Sequence, residues 1–147
     1  MKGQIRKDNW SAGVFILFTL DRFSKLFANK GISLELGPIS YTLAEASQIM
    51  ANISVRERAF IIIPPVILVF WVFYKCGGMK PKIWTMLFLA GMVGQTYDLL
   101  MRSSFEYCFV FSVKDSVTVF SLATLYLFIG SIAGIFDLAF EAIKDKN

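Results

Sequence analysis

Hydrophobic residues along this chain fall into four long runs that are separated by shorter, more polar stretches. A helix that spans a bilayer needs about 20 predominantly apolar residues. The runs therefore predict four transmembrane helices at about residues 9–29, 59–74, 83–101 and 116–142. Because no repeat, linker or low-complexity segment divides the sequence, we expect residues 1–147 to form a single transmembrane domain.

The stretch between the first and second runs has a different pattern. Residues 32–36 and 39–43 alternate between apolar and polar side chains on either side of Gly37-Pro38, which predicts two short strands at the membrane surface. Residues 44–52 predict a short amphipathic helix. The expected fold class is thus an all-α membrane protein with a short external β-rich segment between its first and second helices.

Composition supports a membrane protein and argues against other classes. A hydrophobic content of 56% with 15 phenylalanines is too high for a soluble domain of 147 residues. The net charge of +4 does not indicate nucleic-acid binding, because basic and aromatic residues form no common stripe. Histidine is absent, which removes the usual metal ligand and the commonest general base, so we predict no metal and no cofactor.

The basic residues favour one orientation in the membrane. Eight fall on the side of the termini: Lys2, Arg6, Lys7, Lys75, Lys80, Lys82, Lys144 and Lys146. Five fall on the other side: Lys30, Arg56, Arg58, Arg102 and Lys114. By the positive-inside rule, both termini are predicted to be cytoplasmic. In this topology Cys76 and Cys108 lie on opposite sides, so we expect them not to pair.

Asp98 is the candidate for chemistry, because it ends an apolar run that begins with the small residues Gly91 and Gly94. A carboxylate at this depth is costly unless it is paired, hydrated or used. It is either an active-site acid or a structural acid at the headgroup boundary, where it is hydrated or paired with Arg102, one helical turn on. Asp21 and Lys25 are spaced for an interfacial ion pair on the first helix.

Two further groups in the last run have structural interpretations. The small residues Gly130 and Gly134 permit close helix packing, either within the bundle or against another subunit. Asp137 and Glu141 lie near the cytoplasmic end, where snorkelling or pairing with the lysines at 144 and 146 accounts for them.

This layout resembles signal peptidase II, the lipoprotein signal peptidase, an aspartyl protease of the bacterial inner membrane. In that family the first helix carries an Asp followed four residues later by Lys, as Asp21 and Lys25 do here. The third helix carries Gly-Asn-x-x-Asp-Arg, whose Asp is half of the catalytic pair. The matching stretch is Gly94-Gln95-Thr96-Tyr97-Asp98-Leu99, with Gln95 at the Asn position and Leu99 at the Arg position.

The second half of the family's catalytic pair is missing. The family's fourth helix carries Phe-Asn-x-Ala-Asp, and this chain reads Phe120-Ser121-Leu122-Ala123-Thr124. Ser121 replaces the Asn and Thr124 replaces the catalytic Asp. The family's external Asn-x-Gly-Ala motif has no counterpart near residues 41–49.

An aspartyl protease needs two carboxylates that share one proton, and threonine cannot take that role. A substitute acid would have to come within hydrogen-bond reach of Asp98, and the candidates are Asp21, Glu106 and Asp115.

The resemblance therefore implies a pseudoenzyme: a non-catalytic, multi-pass protein of the bacterial inner membrane that is a structural or binding subunit of an assembly. Its expected partners are the lipid bilayer, other membrane protein subunits and a lipid or lipoprotein. One alternative is a divergent aspartyl protease that cleaves lipid-modified prolipoproteins. A second alternative is a lipid- or lipoprotein-binding module without cleavage.

Overall fold

Four helices make up most of the chain in the computed structural model, which describes residues 7–45, 54–77, 82–102, 104–113 and 116–144. The helices are α1 (Lys7–Asn29), α2 (Val55–Gly77), α3 (Ile83–Arg102) and α4 (Leu122–Lys144). Within the described ranges, α4 is the one helix with a segment, Leu122–Glu141, that is long and apolar enough to cross a membrane by length and composition. The four predicted helices are thus present, while four membrane crossings stay a prediction.

A four-stranded antiparallel sheet of order β1-β2-β3-β4 accompanies the helices. Its strands are β1 (Leu34–Leu36), β2 (Ile39–Glu45), β3 (Glu106–Val113) and β4 (Ser116–Phe120). Gly37 lies in the β1-β2 turn with φ of 59°, a left-handed conformation that favours glycine. The two strands predicted from alternation are confirmed.

The origin of the other two strands corrects the predicted layout. The sequence placed the β-rich segment between α1 and α2 alone, yet β3 and β4 come from between α3 and α4. Residues 116–120, predicted as the start of the fourth helix, form β4, and α4 begins at Leu122. The reason is that Val117, Val119 and Phe120 suit an extended chain, and β4 pairs with β3 along its whole length.

The predicted amphipathic helix at residues 44–52 is wrong at its start. Ala44 and Glu45 belong to β2, where Ala44 is the partner of Tyr107. The remainder of that predicted helix lies outside the described residues.

Glycines let α3 and α4 approach closely. A Cβ added at Gly91 would lie 2.6 Å from the backbone nitrogen of Leu127 and 2.7 Å from the carbonyl oxygen of Ala123. A Cβ added at Gly130 would lie 2.6 Å from the backbone nitrogen of Phe88. Such contacts between backbones leave no room for a side chain. The small residues therefore pack within the bundle, as one of the two interpretations of the sequence expected.

Replacing Gly91 by alanine should separate α3 from α4, because the two nearest atoms that the new methyl group would meet belong to the backbone of α4. We predict a loss of about 1–3 kcal/mol in the free energy of unfolding for Gly91→Ala, typical of overpacking. The matched control is Gly13→Ala, whose methyl group would meet the flexible end of the Met86 side chain. Thermal unfolding of both variants in detergent checks this, and equal effects would contradict it.

Candidate functional site

Two carboxylates from different helices converge in the interior. Asp21 of α1 and Asp98 of α3 are both 0% exposed. An isolated buried carboxylate is strongly destabilising, and burial is tolerated when cations and hydrogen bonds compensate the charge. The partners of these two acids therefore decide what the site can do.

Two cations of α1 bind both acids. Lys25 Nζ lies 2.5 Å from Asp98 Oδ2 and 3.0 Å from Asp21 Oδ2. Arg22 Nη1 lies 2.5 Å from Asp98 Oδ1, and Arg22 Nη2 donates to Asp21 Oδ2. Asp21, Arg22, Lys25 and Asp98 are called the ion cluster below. Its two negative and two positive formal charges cancel.

Aromatic rings flank the arginine of the ion cluster. The Arg22 guanidinium lies 5.4 Å from the ring centroid of Phe18 and 4.8 Å from that of Tyr97. Cations are attracted to the faces of aromatic rings at such distances. Arg22 Nη2 also approaches the carbonyl oxygen of Gly94 at 3.4 Å. These contacts place the guanidinium between α1 and α3.

Asp21 extends the ion cluster to a third helix. Its Oδ1 accepts a hydrogen bond of 2.8 Å from the backbone N–H of Ala123, in the first turn of α4. A helix N-terminus has unpaired N–H groups and a partial positive charge, so a carboxylate is stabilising there. Ser121 caps the same end, because its Oγ accepts from the N–H of Thr124 at 3.2 Å. The ion cluster thus joins α1, α3 and α4.

The structure corrects the predicted partner of Asp98. Arg102, expected to pair with it, binds Glu106 instead. The predicted pair of Asp21 with Lys25 is confirmed, and both side chains are buried in the protein. Sequence reasoning missed Arg22 because neighbouring helix residues do not normally face one another. The available signal was an arginine directly after an acid within an apolar run.

The remaining motif positions form a neutral network. Gln95 Nε2 donates to Thr124 Oγ1 at 2.6 Å, and the hydroxyl groups of Thr124 and Ser121 are 3.0 Å apart. The hydrogen-bond partners of the Thr124 hydroxyl group are thus an amide and a second hydroxyl group. This network carries no charge.

A cavity of about 340 Å³ lies beside this network, between α2, α3 and α4. Four of its lining residues have polar groups: Gln95, Thr96, Tyr107 and Thr124. The others are apolar: Ile62, Val66, Met92, Leu99, Phe105 and Leu127. We call it the neutral groove, because no Asp, Glu, Lys or Arg is among these residues. Its chemistry suits an apolar occupant with an uncharged hydrogen-bonding group.

Three other acids were candidates for a second catalytic carboxylate beside Asp98. Glu106 is buried in β3 and accepts from Arg102, and Asp115 lies outside the described residues. Burial raises the pKa of the Glu106 carboxyl, although Arg102 acts in the opposite direction. Of the three acids, Asp21 is the one that binds the same two cations as Asp98.

Cys108, also in β3, is a free and fully buried thiol, with its Sγ 3.5 Å from Ser24 Oγ. Burial raises the pKa of this thiol. A thiol that stays protonated is a poor nucleophile and a poor metal ligand. Cys108 is therefore a packing residue next to the ion cluster.

A second ion cluster joins the other ends of α3 and α4. Lys82 Nζ binds Asp137 and lies 3.0 Å from Glu141 Oε1. Trp84 Nε1 donates to Asp137 Oδ2 at 3.0 Å. Lys82 thus binds both acids, a contact that the sequence analysis did not include beside snorkelling or pairing with the lysines at 144 and 146. The latter of these two lies outside the described residues.

Solved structures share this fold. One, described as a bacterial membrane enzyme determined by the in meso method at 2.3 Å resolution, is 17% identical with a TM-score of 0.69, covering 100% of this chain and 96% of that chain. Another of the same description, at 1.9 Å resolution, is 18% identical with a TM-score of 0.67, covering 94% of this chain and 97% of that chain. No protein-family model and no curated protein matches. The chain thus shares the fold of these two bacterial membrane enzymes.

Removing the lysine of the ion cluster should be severely destabilising. Lys25→Met leaves two buried carboxylates with Arg22 as their cation, and breaking a buried ion pair from one side typically costs about 3–5 kcal/mol. Lys30→Met, at the exposed end of α1, is the control and should change stability by about 0.5 kcal/mol or less. Thermal unfolding in detergent compares them. Equal stability of the two variants would contradict the structural importance of the ion cluster.

Proposed function

We propose that this chain is a non-catalytic relative of signal peptidase II that acts as a binding or structural subunit in the bacterial inner membrane. The observation that carries the proposal is the pairing of Asp98 with two cations. Arg22 binds its Oδ1 and Lys25 binds its Oδ2, so both oxygens of the retained acid are engaged by cations. The position of the second acid of the family is Thr124.

This arrangement opposes the chemistry of an aspartyl protease. In such an enzyme two close carboxylates repel, so that they hold one proton between them and alternate as base and acid. In this chain two cations balance the two carboxylates, and no proton is required for neutrality. A doubly ionised pair has no proton to donate to a scissile carbonyl. Asp98 then serves to join α1 and α3.

The neutral groove supports a binding role. Its apolar walls suit a hydrophobic segment of a partner membrane protein or a lipid tail, and Gln95 and Thr124 can bond to an uncharged polar group. Such a groove binds its occupant without cleaving it, because no acid faces it. We propose that the occupant is a helix of a partner subunit. We further propose that both termini of this chain are cytoplasmic and that the sheet lies on the external side.

A cleavage assay tests the absence of catalysis. We expect purified protein incubated with a lipid-modified prolipoprotein to release no detectable signal peptide. Any cleavage should be at least about 10⁴-fold slower than that by an active signal peptidase II on the same substrate. The active enzyme controls for substrate quality. Cleavage that Asp98→Asn abolishes would contradict the proposal and establish the divergent protease instead.

Copurification in mild detergent tests the binding role. We predict that the wild-type chain retains a stoichiometric partner protein and that Leu99→Trp, which fills the neutral groove, loses it at least about tenfold. Val93→Trp, on the exposed face of the same helix, is the matched control and should retain the partner. Equal recovery with both variants would contradict binding in the groove. A lipid recovered in place of a protein would favour the lipid-binding alternative.

A further inference from the structure

Arg22 is the most exposed member of the ion cluster. Its side chain is 16% exposed, compared with 2% for Lys25, 1% for Asp21 and 0% for Asp98. Arg22 is thus the cation of the ion cluster with direct access to solvent, whereas Lys25 is enclosed.

The hydrogen bonds that hold Arg22 are mainly those to the two carboxylates. Its Nε is buried and has no hydrogen-bond partner in the part of the chain that the structure describes. Apart from the carboxylates, the guanidinium meets the rings of Phe18 and Tyr97 and, at the longer distance of 3.4 Å, the Gly94 carbonyl oxygen. The position of Arg22 therefore depends on the charge of Asp21 and Asp98.

We propose that Arg22 is a counterion lock: it keeps Asp21 and Asp98 ionised together, and when its side chain leaves, the two carboxylates share a proton. The Oδ2 atoms of both acids contact the same Lys25 Nζ, so the acids lie within reach of one cation. Without Arg22, two negative charges would face one positive charge in a buried site. Binding one proton from solvent to a carboxylate oxygen restores neutrality.

Other charged and titratable groups near the ion cluster do not replace Arg22. Among the described residues of the elements packed around it these are Arg58 of α2, Tyr97 and Arg102 of α3, Tyr41 of β2, Tyr126 of α4, and Glu106, Tyr107 and Cys108 of β3. Arg102 is bound to Glu106, and Arg58 donates to the carbonyl oxygen of Leu100. The tyrosines and the thiol are neutral at physiological pH. The charge balance of the two acids thus depends on Arg22 and Lys25.

This inference rests on the proposed function in one respect, because both depend on the neutralisation of Asp21 and Asp98 by Arg22 and Lys25. It adds that Arg22 is the cation that keeps this pair of acids from transferring a proton. The melting experiments below need no substrate and no partner, so their failure is distinguishable from the failure of the proposed function.

A double-mutant cycle that removes the charges of Arg22 and Asp98, measured on the full-length chain in detergent, tests the lock. Arg22→Gln leaves one excess negative charge and Asp98→Asn leaves one excess positive charge, so both should lower the apparent melting temperature. The double variant Arg22→Gln/Asp98→Asn is neutral again and should melt at least about 4 °C above the lower of the two single variants. Arg22→Lys, which keeps the charge, and Arg56→Gln, an exposed arginine of α2, are the controls. Additive losses would overturn the proposal.

The pH dependence of Arg22→Gln tests proton sharing directly. A carboxyl that holds a proton in the folded state and loses it in the unfolded state stabilises the protein at low pH. The melting temperature of Arg22→Gln should therefore fall as the pH rises from about 5 to about 8 relative to Arg22→Lys, and Asp98→Asn should remove this slope. If Arg22→Gln fails to fold, recovery of folded protein in the double variant supports the lock, and failure of both overturns it.

Discussion

Charge neutrality in a buried site is the constraint on which this structure depends. Asp21 and Asp98 are fully buried on different helices, and neither can stay there ionised without a cation within contact distance. Arg22 and Lys25 satisfy both acids at once. Since both cations come from α1 and Asp98 comes from α3, the two helices must keep one relative position. The need for charge neutrality thus determines the relative position of α1 and α3 as well as the stability of the buried site.

The helix packing follows from that position. Asp21 also accepts from the first turn of α4, so the end of α4 nearest the sheet is fixed by the same carboxylate that the cations neutralise. Gly91 and Gly130 then allow α3 and α4 to lie in backbone contact, and Lys82 joins their other ends through Asp137. The neutral groove opens beside this pair of helices and is separate from the buried charges. The buried acids and the neutral groove are therefore two separate features of the structure.

The sequence predicted the parts of the fold that depend on local pattern. Long apolar runs identified the four helices, and alternation around Gly37 identified β1 and β2. The last two strands were missed for physical reasons. Residues 116–120 continue without a break into an apolar helix. Since β3 is too short to span a membrane and begins at the charged residue Glu106, shortly after Arg102, residues 102–115 were interpreted as a connection. The abundance of valine in 116–120 was the available signal.

The sequence predicted which acids and which lysine form the site, but it did not predict which side chains pair with Asp98. Asp98, Asp21 and Lys25 were identified from their positions in apolar runs, but the partner of Asp98 depends on how α1 and α3 face one another. Spacing along one helix pointed to Arg102, whereas the cations come from another helix. Arg22 could not be found by helical spacing, because its contact with Asp98 depends on the reach of its side chain across an interface that the sequence does not specify.

Infrared spectroscopy of the wild-type protein in lipid bilayers detects a shared proton on Asp98, because a protonated carboxyl group has its own C=O stretch. With the Asp98→Asn variant as the reference, we expect no protonated carboxyl band from Asp98 between about pH 5 and pH 8, since both acids are neutralised by cations. A band at neutral pH that disappears in Asp98→Asn would show that the acids share a proton and that two cations do not balance the buried charges.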